Sequence, residues 1–454
     1  RGDGVGYYAY VRSLLIDGDL RFENEWRAGN PTFTMGRVNP DGSLKADQYS
    51  PTGYVKNIWS VGPAILWAPF LLLAHLFVLA LHGMSFPIPA DGYSLPYTLA
   101  MAFATALYGF LALLISFRLA RSYFATHWAL LGTLGIWFAS SLPVYMYLNP
   151  SWSHAHSAFA VALFLWYWHR TRADRTTSQW VVLGLLSGLM LNVYYPNATL
   201  LVVPLVETLH RGYRALLAHP PDRRAMPSLL GGFFLFGLAT LVAFLPTLIT
   251  RYILFGPQPT LGYYNWRWVP PAFWDVLFSA RHGLLSWTPI LIPALLGLVA
   301  LRRQDRDLAS CLALAVIAFY VLIAFYPDWH GISSFGNRFF VSLTPFFVLG
   351  LAASFSEWGR WLGNTRLSLA SAVLIGLSFI VWNAGFVFQW ATRMVPAREA
   401  ISWRQMAYNQ FHGVPGRTVR AAREYLLSRR ALLDRVEQSD YQGIRERART
   451  EPGK

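Results

Sequence analysis

Residues 96–117, PYTLAMAFATALYGFLALLISF, hold no charged side chain, and the next four, Arg118-Leu119-Ala120-Arg121, hold two arginines. A helix of about 20 apolar residues crosses the roughly 30 Å hydrocarbon core of a bilayer. Membrane-spanning strands alternate apolar and polar residues. This run does not, so it reads as a spanning helix stopped by positive charge. The rest of the chain repeats the pattern. Of 454 residues, 54% are hydrophobic, 16% aromatic and only 13% charged, where a soluble protein carries roughly 25% charged residues. Mean hydropathy is +0.34. The expected class is all-α, a polytopic helical membrane protein.

Loops between the apolar runs are of two kinds. One carries arginine: Arg118 and Arg121; Arg170, Arg172 and Arg175; Arg211, Arg214, Arg223 and Arg224; Arg302, Arg303 and Arg306; Arg360 and Arg366. The other, at 148–153, 194–197, 254–283 and 327–337, is poor in arginine and rich in Pro, Asn, His and aromatics. The two kinds alternate, which under the positive-inside rule puts the first in the cytoplasm and the second outside. Ten spans follow, at about 96–117, 127–147, 153–169, 180–193, 197–211, 229–253, 284–301, 308–326, 338–357 and 368–390. The short fourth and fifth stay separate, because merging them would put two basic loops on opposite sides.

Trp59–Leu81 is also long enough to cross. However, the loop after it, His82–Tyr97, carries no Lys or Arg, and residues 1–58 read as external. The expectation is a segment, containing Pro63 and Pro69, that lies in or dips into the outer leaflet. Residues 1–95 then form one large external loop, and a first transmembrane helix is expected immediately before Arg1. Residues 96–390 form the transmembrane domain and 391–454 an arginine-rich tail. Counting spans puts that tail outside, and residues 417–437, with Val419, Ala422, Leu426, Leu427 and Leu433 between arginines, read as an interfacial amphipathic helix.

The net charge of +15 belongs to loops lying against anionic lipid. No basic-aromatic soluble module is present, so nucleic acid is not an expected partner. Cys311, the single cysteine, lies in an apolar run, which excludes disulfides and cysteine metal sites.

Polar groups concentrate in the external loops. Among Asp3, Asp17, Asp19, Glu23, Glu25, Asp41 and Asp47, most read as solvated charges. Asp3 differs, standing in Gly2-Asp3-Gly4 just before Tyr7-Tyr8. A carboxylate at the membrane boundary suits a general base; a helix N-cap is the alternative. His154-Ala155-His156 invites a metal, although two positions two apart on a helix face away from each other. Either histidine could instead meet substrate. Tyr263, Tyr264, Trp266, Arg267, Trp268 and Trp274 form an interfacial belt or a sugar platform, and Arg281 and His282 follow. The last external loop holds Asp328 and His330, then Gly336-Asn337-Arg338. Arg338 stands at the start of a long apolar helix, where free N–H groups and a positive dipole end favour an anion; snorkelling to lipid phosphate is the alternative.

The acidic first external loop, with GPAILWAPFLLLAHL (62–76), NPSWSHAHSAF (149–159), FSARHGLLSWTPIL (278–291) and SFGNRFF (334–340) in that order, resembles the family-C (GT-C) glycosyltransferases. The likeness is to bacterial relatives of the protein O-mannosyltransferases and of the lipid A aminoarabinose transferase, and it covers most of residues 1–390. The resemblance implies a GT-C fold and a cell-envelope enzyme of the bacterial plasma membrane with its site on the outer, periplasmic face. It implies transfer of a hexose or pentose, with inversion, from a polyprenyl-phosphate donor to a glycan, lipid or protein acceptor. Asp3 matches the catalytic aspartate; Arg338, helped by Arg281 and His282, matches the carrier-phosphate contact; Tyr7, Tyr8, His154, His156, Asp328 and His330 complete the expected site. Where some members carry further acidic residues, this chain has Val5-Gly6 and Ser153-His154-Ala155-His156, so no metal ligand is assigned and a divalent ion stays open. A transporter or flippase of lipid-linked sugars is the alternative. It would show charged or broken mid-membrane helices and repeats, and the sequence shows no internal repeat.

Overall fold

The structure, a computed structural model, describes residues 2–217, 225–257, 269–396 and 398–450. The principal helices are α1 (Asp3–Arg12), α2 (Gly62–Gly83), α3 (Leu95–Arg121), α4 (Thr126–Ala139), α5 (His154–Thr171), α6 (Thr177–Val193), α7 (Val202–Leu217) and α8 (Ala225–Phe255), followed by α9 (Leu291–Ala300), α10 (Arg306–Ala324), α11 (Thr344–Leu362), α12 (Thr365–Ala391), α13 (Val414–Leu427) and α14 (Arg429–Thr450). Among the described residues there is no strand, only the isolated bridges Val38–Leu44 and Tyr49–Val55. The protein is an all-α, multi-pass membrane protein.

Six of the described helices are long and apolar enough to cross a membrane: Gly62–Gly83, Leu95–Arg121, Met226–Phe255, Arg306–Ala324, Arg338–Leu362 and Thr365–Ala391. Five of these lie on expected spans. The other expected spans are helical at the expected positions but shorter, more polar or interrupted, as at Ser140–Ser141 and Thr288–Ile290. Most spans bury 22–44% of their apolar window, whereas Arg338–Leu362 buries 89%. It is the central helix. Small residues let its neighbour approach: a Cβ on Gly297 of α9 would stand 1.7 Å from the Gly350 carbonyl oxygen of α11. Between helices in lipid such close backbone packing replaces the missing hydrophobic drive.

Arginine-bearing loops are tied together at one end. Asp305 caps α10 by accepting from the Leu308 N–H at 2.9 Å, pairs with Arg172 and accepts from the Tyr123 hydroxyl at 2.9 Å. Trp168 Nε1 and Arg175 Nη1 both donate to Glu207 Oε2, at 2.6 and 3.1 Å.

At the opposite end, residues 3–61 fold into an aromatic cluster of their own around Tyr10, Phe22, Trp26, Phe33 and Trp59. Most of its acids are expected from sequence to be solvated, and Glu25 is one that is not. Glu25 is 2% exposed and accepts from Arg12 Nη1 at 2.9 Å, while Arg12 also pairs with Asp17. Desolvation still outweighs the arginine and pushes the Glu25 carboxyl up to about 7.

Helix α2 runs antiparallel to α3, with its hydrogen bonds on the first half of α3. The Tyr108 hydroxyl donates to the Leu66 carbonyl at 3.1 Å, Trp67 Nε1 donates to Thr105 Oγ1 at 2.9 Å, and His75 Nδ1 lies 2.6 Å from the Tyr97 hydroxyl. Thr105 in turn donates to the Pro150 carbonyl of the second external loop at 2.8 Å. These contacts sit at the level of that loop, towards the end of α3 away from Arg118 and Arg121.

The tail folds back onto residues 30–34. Helix α14 packs on the short helix Pro31–Thr34, and Asn30 Nδ2 donates to Glu437 Oε1 at 2.8 Å. The tail therefore lies on the Asp3 side of the molecule. The single amphipathic helix expected over 417–437 is two helices, broken at Ser428, whose backbone leaves the helical region at φ −145° and ψ 42°.

Candidate active site

Asp3 opens α1, and two glycines decide where that helix lies. A Cβ on Gly4 would stand 2.0 Å from Ser151 Oγ, and one on Gly6 would stand 1.9 Å from the Trp59 ring. Only glycine lets α1 press this closely between the two loops. The result brings Asp3 to Arg338, 335 residues away: Arg338 Nη1 donates to Asp3 Oδ2 at 2.5 Å. The Arg338 guanidinium also lies 4.4 Å from the centroid of the Trp152 ring. Arg338 is 5% exposed at its side chain and Asp3 25%, so a nearly dry cation is clamped between a carboxylate and an indole face.

Two sequence expectations change here. Asp3 is not an N-cap: Gly2 holds that position and Asp3 sits in the first turn, with its carboxylate turned to Arg338. Nor does Arg338 open an α-helix. Arg338–Leu343 is a tighter 3₁₀ segment, and α11 starts only at Thr344. The anion-favouring end of α11 is thus six residues past the guanidinium.

A cleft of about 450 Å³ opens above the pair. Asp3, Arg338 and Trp152 form its floor, Asn30, Phe33 and Trp59 one wall, Ile332 and Ser333 another. Its roof is the tail, with Arg393, Glu437 and Asp440. Arg393 donates to both oxygens of Asp440, Nε to Oδ1 at 2.6 Å and Nη2 to Oδ2 at 2.5 Å. Such bidentate pairs fix geometry as well as charge.

The other expected residues stand around the cleft, not among its lining residues. Arg281 Nη2 donates to the carbonyl of Arg398, a lining residue, at 2.7 Å. His282 is 1% exposed, with Nδ1 2.7 Å from the His330 carbonyl oxygen and its ring edge-on to Trp287 at 4.9 Å. His330 Nδ1 accepts from the Ile332 N–H at 3.0 Å, the arrangement of a neutral ring. Burial pushes His282 down to about 4 and His330 to about 3, in both cases assisted by Arg281 and Arg338. Asp328 holds the turn through its carbonyl, which accepts from the Gly331 N–H at 2.7 Å.

His154 and His156 diverge. His154 packs edge-on against Tyr145 at 4.7 Å and Tyr194 at 5.7 Å, while His156 packs on Trp67 at 5.0 Å. Among the described residues no three His, Cys, Asp or Glu side chains converge as metal ligands. Tyr7 accepts from Ser153 Oγ at 3.1 Å, and the Tyr8 hydroxyl donates to the Gly92 carbonyl at 2.5 Å. Tyr263, Tyr264, Trp266, Arg267 and Trp268 lie outside the described residues.

Sequence reading missed Trp152, although it lies inside a quoted motif, and Trp59. It also missed the tail residues, whose partners are 47 and 407 positions away. Arg251, the last basic residue of α8, was missed as well. It is fully buried and donates to the carbonyls of Asn57, Ile58 and Trp59 at 2.7–2.8 Å, and to the Tyr195 hydroxyl at 2.8 Å.

No known protein family matches the chain, and no curated protein sequence does. Among solved structures it is similar to the oligosaccharyltransferase of Archaeoglobus fulgidus, crystallised in complex with zinc and sulfate, at 12% identity and a TM-score of 0.43. The match covers 87% of this chain and 55% of that one, so this chain spans about half the length of the archaeal protein.

Proposed function

We propose that the protein is an integral-membrane glycosyltransferase of GT-C type. In this reading it moves a sugar from a polyprenyl-phosphate carrier to an acceptor hydroxyl on a glycan, lipid or protein, at the outer face of a bacterial plasma membrane, with inversion. The observation that carries the reading is the Asp3–Arg338 pair at the floor of an aromatic-walled cleft. Displacement of a phosphate from an anomeric carbon needs one base and one anion-stabilising group, and these two fill both roles.

Asp3 accepts the proton of the acceptor hydroxyl as its oxygen attacks the anomeric carbon. The bond from that carbon to the phosphate oxygen breaks, its electron pair leaves with the phosphate, and Arg338 offsets the charge that develops there. In-line attack sets base and leaving group on opposite sides of the carbon, with reacting atoms about 3–3.5 Å apart. The Asp3–Arg338 contact therefore lengthens as the sugar enters. Phe33, Trp59, Trp152 and Trp390 line the cleft, and their faces suit the apolar face of a pyranose. Activated sugar must reach this side already attached to lipid, since nucleotide sugars are made in the cytoplasm.

A transfer assay with the purified protein and a set of labelled polyprenyl-phosphate sugars tests the reading. The expected result is label on an acceptor and free polyprenyl phosphate, both lost in Asp3→Asn. Intact labelled lipid crossing the bilayer, with no bond broken, would favour the flippase instead.

A further inference from the structure

We propose that the C-terminal tail is a lid held shut by anionic lipid: α13 lies on the lipid surface beside the outer end of α12, and this seating holds α14 across the cleft. The inference starts from where α13 begins. The π-helical turn Asn409–Gly413 packs on α12, a candidate span, with Gln410 against Gly385. Gln389 Nε2 donates to Gln410 Oε1 at 2.7 Å, Gln410 Nε2 donates to the Trp382 carbonyl at 3.0 Å, and the Phe411 ring lies 6.0 Å from that of Trp382. The chain thus enters α13 beside the last third of α12.

The faces of α13 then fit an anionic interface. Pro415, Val419, Ala422 and Leu426 recur at helical spacing and form one stripe. Val419 is 80% exposed and Leu426 79%, and no described residue of α13 is buried. Arg417, Arg420 and Arg423 lie beside or opposite that stripe, with Arg429 and Arg430 just beyond and Glu424 the one acid among them. An exposed apolar stripe with a strongly basic flank, starting beside the last third of a candidate span, matches the chemistry of an anionic lipid surface.

The consequence follows from the connection. Only Ser428 separates α13 from α14, and Arg435 of α14 reaches back to Glu424 of α13 at 3.1 Å. Helix α14 is also the roof of the cleft, through Asp440 on Arg393 and Glu437 on Asn30. Lipid that binds α13 better when α14 is docked must favour the closed arrangement by that same difference in affinity. The lid's effect on catalysis rests on the transferase reading, but neither readout below uses sugar transfer, so either can fail without the other.

The test uses the full chain, in a Cys311→Ala background, in nanodiscs of phosphatidylcholine alone or with about one-third phosphatidylglycerol. An environment-sensitive fluorophore is attached at Leu426→Cys or, on the polar face, at Arg420→Cys. A second variant, Asn30→Cys with Glu437→Cys, reports lid closure through a short bifunctional thiol reagent. With anionic lipid, the probe at 426 should shift to the blue and escape an aqueous quencher while the probe at 420 does not. Cross-linking of 30 to 437 should quicken several-fold, and Val419→Asp with Leu426→Asp should abolish that gain. Equal quenching at 426 in both lipids, or lipid-independent cross-linking, would overturn the proposal. Shielding of 426 that tracks protein concentration in detergent would overturn it too, by assigning the stripe to a second copy of the chain.

Discussion

Arg338 gives up water over nearly all its surface to lie between the Asp3 carboxylate and the face of Trp152. A snorkelling arginine would need only length and charge. A clamped one uses its planar fork, which lysine lacks. Arg338→Lys should therefore lower kcat at least about tenfold, Arg338→Ala further, with unchanged expression, because the contact strengthens as the phosphate leaves. Steady-state kinetics on a lipid-phosphate sugar decide this; unchanged kcat and KM in the lysine variant would move the phosphate role to Arg281. For Asp3→Asn, turnover should fall by about 10²–10⁴-fold, the usual weight of a general base. A solvated aspartate acting only as a base could be replaced without loss of fold. The ion pair says otherwise: the substitution leaves Arg338 buried without its counter-charge, a loss of about 3–5 kcal/mol for fully buried pairs and smaller here, because Asp3 is one-quarter exposed. Asp3→Asn with Arg338→Gln should regain thermal stability but not turnover, separating the two roles.

Single elements depend on buried polar groups that act as clamps. The turns 279–283 and 327–337 lock together through His282 and the His330 carbonyl, and both rings are held below the usual imidazole value of about 6.5. Above that value both rings are neutral folded or unfolded, and their contribution is fully present. As pH falls from about 6.5 towards 4, the unfolded rings take protons that the folded ones refuse, and stability drops by up to about 1.4 kcal/mol per pH unit for each ring. Glu25, raised to about 7, gains stability as pH falls through the same range and opposes the rings. Melting in detergent between pH 6.5 and 5 is therefore compared in a Glu25→Gln background, where it should show this fall and His330→Gln should flatten it; an unchanged slope in that variant would remove His330 from the account. Arg251 performs the same service for the strand-like stretch 57–59 that precedes α2. Arg251→Leu takes the guanidinium from all three carbonyls and leaves the Tyr10 hydroxyl, 3.3 and 3.2 Å from those of Asn57 and Trp59, as their shared remaining donor; a buried carbonyl left without a partner costs about 1–3 kcal/mol. It should lower the melting temperature and open residues 50–60 to limited proteolysis, with Arg251→Lys rescuing only in part.

Over the whole molecule, the two ends differ in kind. One is pinned by arginine–carboxylate pairs such as Arg172–Asp305 and Arg175–Glu207. The other carries the aromatic loop cluster, the cleft and the tail. Single cysteines in a Cys311→Ala background, probed with an impermeant maleimide, should label at Glu23, Asp328 and Leu433 from one side and at Arg172 and Arg303 from the other. The tail position is the informative one, because its arginines alone would favour the cytoplasm, whereas α14 is docked on residues 30–34. Labelling at 433 from the same side as 303 would mean that α14 is not docked on residues 30–34 in the membrane. Helix α2 is the other test of length against packing: it is long enough to cross, yet its hydrogen bonds to α3 fall on residues 97–108, in the half of α3 away from Arg118 and Arg121. We propose that it stays in the outer half of the membrane, and a cysteine at Leu79 should then sit on the external side.

Helical class, the positions of the helices and the alternation of arginine loops followed from the sequence, because hydrocarbon thickness and charge placement act on contiguous residues and leave a periodic record. Asp3 and Arg338 could each be singled out for the same reason: glycines beside one and a loop-to-helix boundary at the other are local signals. That they touch could not be read, since 335 residues separate them and only the packing of Gly4 on Ser151 and Gly6 on Trp59 sets their distance. The separation of His154 from His156, the burial of Glu25 and the pairing of α2 with the first half of α3 are likewise decided by which surfaces meet. The tail shows the division most plainly. Its amphipathic pattern is written in the chain, but its place over the cleft comes from Arg393 finding Asp440 and Asn30 finding Glu437. Pairings of that kind depend on three-dimensional closure, and a linear pattern does not record them.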